Sequence, residues 1–197
     1  MAIQVTEMAT YQNDTVKSIM ERRSIRKYKP QQITEQELDC ILTSGLNAPS
    51  AVNSQNWHFT VIQNADLISW MNDKIKENIP KKFVETNKAR AGGREDYSVF
   101  YHAPTVILIS GEANDSWTES NCAYAVENMC LAAKSIGVSS VIIGLVRYLF
   151  STPKADEYAK EFGVPDGYKP LYAVCFGYGD MNPKAPERIP GKVNYIK

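Results

Sequence analysis

Four short apolar runs, kept apart by helical patterns, place the strongest limit on what this chain can fold into. Each run is rich in the aromatic and β-branched residues that are typical of strands. They are WHFTVI from residue 57, PTVILISG from residue 104, VSSVIIGLV from residue 138 and KPLYAVCFGYG from residue 169. Strands that alternate with helices form a sheet between helical layers, so the sequence predicts a three-layer α/β or α+β fold. A chain of 197 residues can bury such a core as one domain and is short for two.

Helix start and stop signals lie between these runs. Thr34 and Glu37 have the spacing of a capping box, and apolar residues then recur at helical spacing as far as Leu46, where Gly45 with residues 47–49 ends the run. Residues 65–79 show the same period, which predicts a second helix.

Two further helices are predicted in the second half of the chain. Residues 118–137 have a long helical period that places Ile136 on the buried side, with Gly137 at the C-terminus. A later helix is predicted to begin with Thr152 as its N-cap and Pro153 at its first position.

Residues 81–101 are polar and show no sustained period. A mobile surface segment is one interpretation, and a lid over a site, spanning residues 76–102, is the other. The side chains that could grip a substrate there are Lys82, Arg90, Arg94, Glu95 and Tyr97. We expect most of them to belong to a solvated loop.

Composition limits the partners and the location of the chain. Lysine plus arginine equals aspartate plus glutamate at 22 each, so there is no global attraction to nucleic acid or to an anionic membrane. Residues 1–14 lack the apolar core of a signal peptide and no later run could span a bilayer, which favours a cytoplasmic location. The four cysteines, without a CxxC pair, are expected to be buried, reduced thiols that bind no metal. They are Cys40, Cys122, Cys130 and Cys175.

The basic stretch ERRSIRKYKP, residues 21–30, allows two interpretations. Asn13 can begin a short helix with Val16, Ile19 and Met20 on one face, and the cations would then neutralise its C-terminal carbonyls. Alternatively, arginine and serine side chains can bind phosphate oxygens through charge-assisted hydrogen bonds. Neither a Gly-rich dinucleotide turn nor a Walker loop follows any predicted strand, which favours an anion site built from side chains.

Three separated segments carry a resemblance to a known family. They are RRSIRKY (22–28), APSAVNSQNWHF (48–59) and GYGDMNPKAPERIP (177–190). In this order the set resembles the nitroreductase family of FMN-dependent oxidoreductases. The resemblance implies an α+β, three-layer α/β/α fold with a mostly antiparallel central sheet flanked by helices. It also implies one FMN-binding domain over residues 1–197, with a tail at 180–197, in a domain-entwined homodimer that holds the flavin at its interface.

FMN needs partners both for its phosphate and for its ring. The resemblance implies that Arg22 and Ser24, joined by Arg188 from the tail, bind the phosphate dianion. Arg23 would flank the flavin mainly through its backbone. Arg26 matches the basic position beside the pyrimidine edge, where a cation stabilises the negative charge of the reduced ring and raises its potential.

The loop before the first strand would come from the other subunit. By the resemblance, Pro49 and Ser50 contact the ring, while Asn53 and Gln55 bind its polar edge or the ribityl chain. An ordinary turn that leads into a strand is the alternative interpretation. The family usually has proline where this chain has Asn56, which changes the stiffness of the loop.

Backbone groups complete the implied site. Ile143 and Gly144 match the stretch whose N–H groups approach flavin N5 and O4, and glycine permits close approach there. The end of a buried strand is the alternative interpretation. Asn128 matches an amide of the family's central helix and is expected to be structural.

The resemblance implies an enzyme without catalytic side chains, because the chemistry takes place at flavin N5. NADH or NADPH would give hydride to the flavin and leave, and a nitroaromatic, a quinone or a related acceptor would follow in a ping-pong mechanism. Two alternatives stay open: a specialised flavin enzyme of dehalogenase or flavin-fragmenting type, and a flavin-binding protein without turnover. Neutral net charge disfavours a nucleic-acid-binding domain built on the basic stretch.

Overall fold

The computed structural model of the protein describes residues 13–196 except Ala91 and Arg94. Its helices are α1 (Asp14–Glu21), α2 (Glu35–Leu46), α3 (Ala65–Asn78), α4 (Lys81–Arg90), α5 (Thr118–Ser135) and α6 (Ala155–Glu161). Its strands are β1 (Trp57–Ile62), β2 (Thr105–Glu112), β3 (Ser139–Ile143) and β4 (Tyr168–Gly177). All four predicted strands are therefore present.

The four strands form one sheet in the order β1-β2-β4-β3. All three strand pairs are antiparallel, with Phe59 opposite Ile109 and Val141 opposite Cys175. The basic segment is attached to this sheet by two isolated bridges, from Ser24 to Ser140 on β3 and from Tyr28 to Gly179 just beyond β4. The sheet thus fixes the position of the predicted phosphate-binding residues.

Two apolar cores cover the two faces of the sheet, which gives three layers. One core contains α3 and the residues around it, with side chains such as Met71, Phe100 and Leu108. The other contains α2 and α5, with Ile41, Met129 and Phe176 among its side chains. The α+β, three-layer fold predicted from the resemblance is confirmed.

Local signals explain where two of the helices begin. Asn13 Oδ1 accepts from Val16 N–H at 2.9 Å at the start of α1. At the start of α2 the capping box is complete, since Thr34 and Glu37 each accept from the other's backbone N–H. Gly45 does not end α2; it is buried where α2 crosses α5, and a Cβ atom there would lie 2.3 Å from Met129 Cε.

Residues 81–101 differ from the prediction. Residues 81–90 form α4, and the aromatic segment after it is buried rather than solvated, with Val99 and Phe100 in the core. Val99 N–H donates to Asn72 Oδ1 of α3 at 2.8 Å, so a tertiary contact orders this stretch. Among the predicted lid residues, Arg94 lies outside the described residues.

Three smaller predictions were wrong. Ile136 is exposed at the C-cap of α5, and α6 begins at Ala155, with Lys154 rather than Thr152 at its N-cap. Of the four cysteines, Cys40 is exposed and the other three are buried.

Two kinds of feature are missing from the described part of the chain. No helix among residues 13–196, with Ala91 and Arg94 left out, is long and apolar enough to cross a bilayer. The same residues contain no group of three or more His, Cys, Asp and Glu side chains placed to hold a metal ion. The N-terminal segment 1–12 that bears on a signal peptide lies outside the described residues.

Candidate active site

The basic segment begins where α1 ends. Arg22 is the C-cap of α1, and its N–H donates to Ser18 O at 2.9 Å. Its side chain is 26% exposed, and its Nε lies 3.5 Å from Glu127 Oε1 of α5. A half-exposed ion pair of this kind is weak in water, so Arg22 can exchange this carboxylate for a stronger anion.

Arg23 has a different role from its neighbour. Its guanidinium donates to Met20 O at 2.8 Å and to Arg22 O at 2.7 Å. A cation that satisfies the last carbonyls of a helix also interacts favourably with the helix dipole. Of the two interpretations of the basic stretch, the helix-end interpretation therefore holds for the Arg23 side chain, whose guanidinium is engaged locally.

Ser24 lies beside β3, an edge strand of the sheet. It forms a parallel bridge with Ser140, and Ile25 N–H donates to Ser140 O at 3.0 Å. The same strand ends three residues later at Ile143, which is buried, followed by the exposed Gly144. No atom outside the neighbouring residues lies within 4 Å of where a Gly144 Cβ would stand, so the backbone there faces open space.

Arg26 lies in a cavity of about 80 Å³ lined with aromatic side chains. Its N–H donates to Met181 Sδ at 3.1 Å, and its Nη1 donates to Ser24 O at a long 3.4 Å. Besides Lys27 and Ser98, the residues around this cavity are Tyr28, Tyr97, Tyr101 and His102. Burial raises the pKa of Tyr101, and the nearby Arg26 guanidinium opposes that rise.

The Tyr97 hydroxyl is the unusual atom of this cavity. Tyr97 is only 5% exposed, and its Oη has no hydrogen-bond partner among the described residues. Lys76 donates to the backbone carbonyl of Tyr97 and lies 5.5 Å from the centre of its ring. Because a buried hydroxyl without a partner is costly, the cavity is suited to a ligand that offers a polar edge.

Sequence reasoning assigned no role to these tyrosines. Tyr97 was named only as a lid candidate, and neither Tyr101 nor His102 was assigned a role in a flavin site. Tyr101 and His102 have φ angles of 54° and 58°, which bends the chain just before β2. The aromatic spacing of DYSVFYH, residues 96–102, directly before a strand was the available signal.

The predicted ring-binding loop has an unusual backbone. Residues Ala51–Asn53 form a short 3-10 turn, and Val52, Asn53 and Gln55 have φ angles of 48°, 57° and 47°. The left-handed region costs a residue with a side chain about 1–2 kcal/mol, and a β-branched residue such as Val52 is rarely found there. Val52 is also 98% exposed, so its own packing does not compensate for the strain.

Hydrogen bonds inside the loop tie its two ends together. Gln55 N–H donates to Ser50 Oγ at 3.0 Å, and Gln55 Nε2 donates to Asn53 Oδ1 at 3.1 Å. Pro49 is exposed and Ser50 is half-buried at the start of the loop. The four predicted contact residues are therefore held in one compact turn.

Asn56, which follows the loop, is 3% exposed. Its Nδ2 donates to Asp115 Oδ2 at 2.7 Å and to Thr118 Oγ1 at 3.0 Å. Its Oδ1 accepts from Asn121 Nδ2 at 3.0 Å. The residue that stands where the resembling family has proline is thus the centre of a buried polar network.

The structure brings together only part of the predicted site. Ser24 bridges to Ser140 on β3, three residues before Ile143, and Arg22 and Arg26 stand two residues to either side of Ser24 along the chain. Within the described part of the chain, no hydrogen bond or ion pair joins loop 49–55 to these arginines. Arg188 is exposed in a C-terminal segment without regular secondary structure, and Lys27 is paired with Asp180 at 2.5 Å nearer the start of that segment.

A model of the nitroreductase family matches residues 19–178, which is most of the chain. The chain belongs to the nitroreductase family. A nitroreductase from Bacteroides fragilis, solved with bound FMN, is 32% identical with a TM-score of 0.82, and the match covers 94% of this chain and 100% of that one. For the FMN-bound nitroreductase of Desulfitobacterium hafniense the identity is 26%, the TM-score is 0.83, and the covered shares are 95% and 100%.

A relative in this nitroreductase family is named for its activity. The NADPH-flavin oxidoreductase of Vibrio harveyi is 29% identical over 192 residues, which cover 92% of this chain and 72% of that protein. The matches extend over nearly the whole nitroreductase fold, so they include the basic segment, the strained loop and β3.

Proposed function

We propose that this protein is an FMN-dependent oxidoreductase that transfers hydride from NADH or NADPH, by a ping-pong mechanism, to nitroaromatic, quinone or related acceptors. The observation that carries the proposal is the position of Arg22 and Ser24 on the β3 edge, next to an open strand end and the Arg26 cavity. When bound, FMN supplies two-electron hydride chemistry at N5. The protein's own groups bind and orient it.

The residues of the β3 edge fit a phosphate and a flavin ring. Arg22 and Ser24 offer a guanidinium and a hydroxyl, which match the oxygens of a phosphate dianion. Arg188 of the exposed tail would join them. Arg23 would contribute only its backbone, since its guanidinium is engaged with helix carbonyls.

Arg26 has the surroundings expected of a cation that acts on a ring. Its guanidinium makes a long hydrogen bond to Ser24 O and lies beside the Tyr101 hydroxyl, and no salt bridge to Arg26 is present in the described part of the chain. Because no carboxylate compensates this charge among the described residues, it would be available to the pyrimidine edge of the flavin, where negative charge increases on reduction. The N–H groups at Ile143 and Gly144 would donate at N5 and O4.

We further propose a homodimer in which loop 49–55 reaches the flavin held by the other subunit. Among the described residues, no hydrogen bond or ion pair joins the loop to the basic segment, although both would contact one flavin. Large apolar side chains are exposed on several elements of the fold, and exposed apolar surface can mark an interface. Among them are Met20, Leu46, Val52 and Tyr124 on the helices and the loop, and Ile189, Val193, Tyr195 and Ile196 on the tail.

The remaining features agree with a single FMN-binding domain that carries a lid. Helix α4 buries no residue of its own, and it touches the rest of the fold through contacts such as Phe83 with Tyr148, whose ring centres are 6.5 Å apart. An element with so little burial opens easily. We propose that residues 76–102 cover the site and that the tail 180–197 contributes Arg188. A cytoplasmic enzyme with small-molecule acceptors is the corresponding setting.

The test is an anaerobic absorbance titration of the purified, FMN-loaded protein with NADH and then with NADPH. Loss of the oxidised-flavin band, restored by a nitroaromatic or a quinone, is expected. A yellow protein that neither donor bleaches would contradict the proposed activity and point to a flavin carrier or to a specialised branch such as a dehalogenase. A protein that binds no FMN would overturn the proposal altogether.

Arg22→Ala is the matched variant for the cofactor site. It is expected to lose FMN on dialysis, because the phosphate loses its principal cation. Lys134→Ala is the control, since Lys134 is a cation on α5 that pairs with Glu21 of α1 at 3.3 Å rather than with the site. Equal retention of FMN by both variants would remove Arg22 from the phosphate site.

A further inference from the structure

The strained loop has one anchor, and that anchor is Asn121 of α5. Asn121 is 1% exposed. Its Oδ1 accepts from Ala51 N–H at 3.0 Å, and its Nδ2 donates to Ser54 Oγ at 3.2 Å and to Asn56 Oδ1 at 3.0 Å. A single buried amide therefore bonds to the start, the end and the exit of the turn.

Asn56 extends this anchor to the start of α5. It bonds to Asp115 and to Thr118, and Thr118 Oγ1 donates in turn to Glu112 O at 2.8 Å. Asn56 O also accepts from Glu112 N–H at 3.1 Å, which links the loop exit to β2. Every side-chain donor and acceptor of the two asparagines that points inward is satisfied, so the network has one arrangement.

The network holds a conformation that the loop would not choose by itself. Val52, Asn53 and Gln55 have left-handed backbone conformations, and Val52 at the tip of the loop faces solvent. Strained backbone persists only where the surroundings determine it, and such strain is concentrated at ligand sites. Rigid presentation of a loop lowers the entropy that a ligand must overcome on binding.

We propose that Asn121, acting through Asn56 and Ser54, is a positioning residue that holds loop 50–55 ready for the flavin before any flavin is bound. This inference rests on the proposed FMN function. Asn121 does not touch the ring; it keeps Ser50, Asn53 and Gln55 in the orientation that contacts it. Without the anchor, only a fraction of molecules would have a competent loop, and the apparent association rate would fall with that fraction.

The test is stopped-flow quenching of FMN fluorescence by apoprotein. Asn121→Ala is expected to lower the association rate constant at least fivefold, with a smaller effect on dissociation. Asn128→Ala is the matched control, because Asn128 is an amide seven residues further along α5 that donates to Ser44 O at 3.2 Å and not to the loop. Asn128→Ala should bind FMN at the wild-type rate.

Each outcome bears on the proposal. A folded Asn121→Ala protein with a wild-type association rate overturns the positioning role, even if its melting temperature is lower. If Asn121→Ala does not fold, Ser54→Ala is the deciding variant, because it removes one exposed partner of Asn121. An unchanged FMN association rate in Ser54→Ala overturns the proposal. A two- to threefold decrease in that rate supports it. If the wild-type protein itself binds no FMN, the proposed function fails. If the wild type binds FMN and the variants bind it equally fast, only the positioning role of Asn121 fails.

Discussion

Arg22 Nε and Glu127 Oε1 lie 3.5 Å apart, so the cation proposed to bind the FMN phosphate is already paired with a carboxylate. The two side chains are 26% and 47% exposed, and exposed pairs contribute only about 0.2–1 kcal/mol. Binding of a phosphate dianion would compete with this pair. We therefore expect Glu127 to reduce the affinity of the proposed site for FMN.

Glu127→Gln should strengthen FMN binding, because Arg22 no longer has to leave a carboxylate. The expected fall in the dissociation constant is about 1.5- to 5-fold, which corresponds to the strength of such a pair. Fluorescence titration of the apoprotein measures it. Glu21→Gln is the control, since Glu21 pairs with Lys134 and the variant changes the net charge equally. Weaker binding by Glu127→Gln would mean that the carboxylate orients Arg22 for the phosphate.

Arg26→Ala should lower the midpoint potential of the bound flavin, because the reduced ring loses a stabilising cation. A decrease of about 30 mV corresponds to about 1.4 kcal/mol for a two-electron couple. A spectroelectrochemical titration with a reference dye measures it. Lys29→Ala removes a cation from an exposed position on the same segment and should leave the potential unchanged. An equal potential in the Arg26 variant and the wild type would argue against contact with the ring.

The capping box predicts a pH-dependent contribution to stability. Glu37 Oε2 accepts from Thr34 N–H at 2.7 Å and from the Tyr178 hydroxyl at 2.8 Å, and the Thr34 backbone bond is the main cause of a lowered pKa at Glu37. A carboxyl with a lowered folded-state pKa stabilises the fold above its unfolded pKa, about 4.3, and that contribution is lost as the pH falls through the folded value.

Glu37→Ala should therefore reduce the free energy of unfolding by about 1 kcal/mol at pH 7, and the difference from wild type should shrink below about pH 4. Urea unfolding at a series of pH values measures it. Glu35→Ala removes a carboxylate from the same helix end without these hydrogen bonds and should have a smaller effect. A difference that grew on acidification would contradict the assigned bonds.

The four cysteines should differ sharply in reactivity. Burial raises the pKa of Cys122 to about 12 and that of Cys130 to about 11, and it raises the pKa of Cys175 as well, so their thiolate forms are scarce at neutral pH. Cys40 is exposed on α2. A thiol reagent should modify one cysteine per native chain and four in denaturant, and Cys40→Ser should abolish the native reaction. Modification of two or more native thiols would contradict this burial.

The strands and the helix caps could be predicted because their signals are local. The apolar runs that begin at residues 57 and 169 are rich in strand-forming residues and form strands of the sheet. The Thr34–Glu37 pair has the spacing that caps the start of a helix, and α2 begins there. Residues 81–101 were not predicted correctly because their order depends on distant partners. The burial of Phe100 and the bond from Val99 N–H to Asn72 involve α3, which no local pattern reveals.

The site was predictable only in outline. The resemblance named Arg22, Ser24 and Arg26 together, and the structure pairs the middle one, Ser24, with Ser140 on the edge strand β3. Which cation is available and which is engaged depends on three-dimensional neighbours, such as the helix carbonyls around Arg23 or the Glu127 carboxylate beside Arg22. Two of the three tyrosines of the Arg26 cavity, Tyr97 and Tyr101, lie 71 and 75 positions from Arg26 along the chain, so no spacing rule could have linked them to it.

Asn56 gives this chain a thermal property that a proline at the same position would not give. A proline ring fixes its torsion covalently at every temperature, whereas four hydrogen bonds through one amide and one carbonyl can be broken by heating. Local opening of such a network requires less free energy than unfolding of the sheet beneath it. On warming, the loop should therefore loosen before the core does, and affinity for the ligand should decline at temperatures where the fold is still intact.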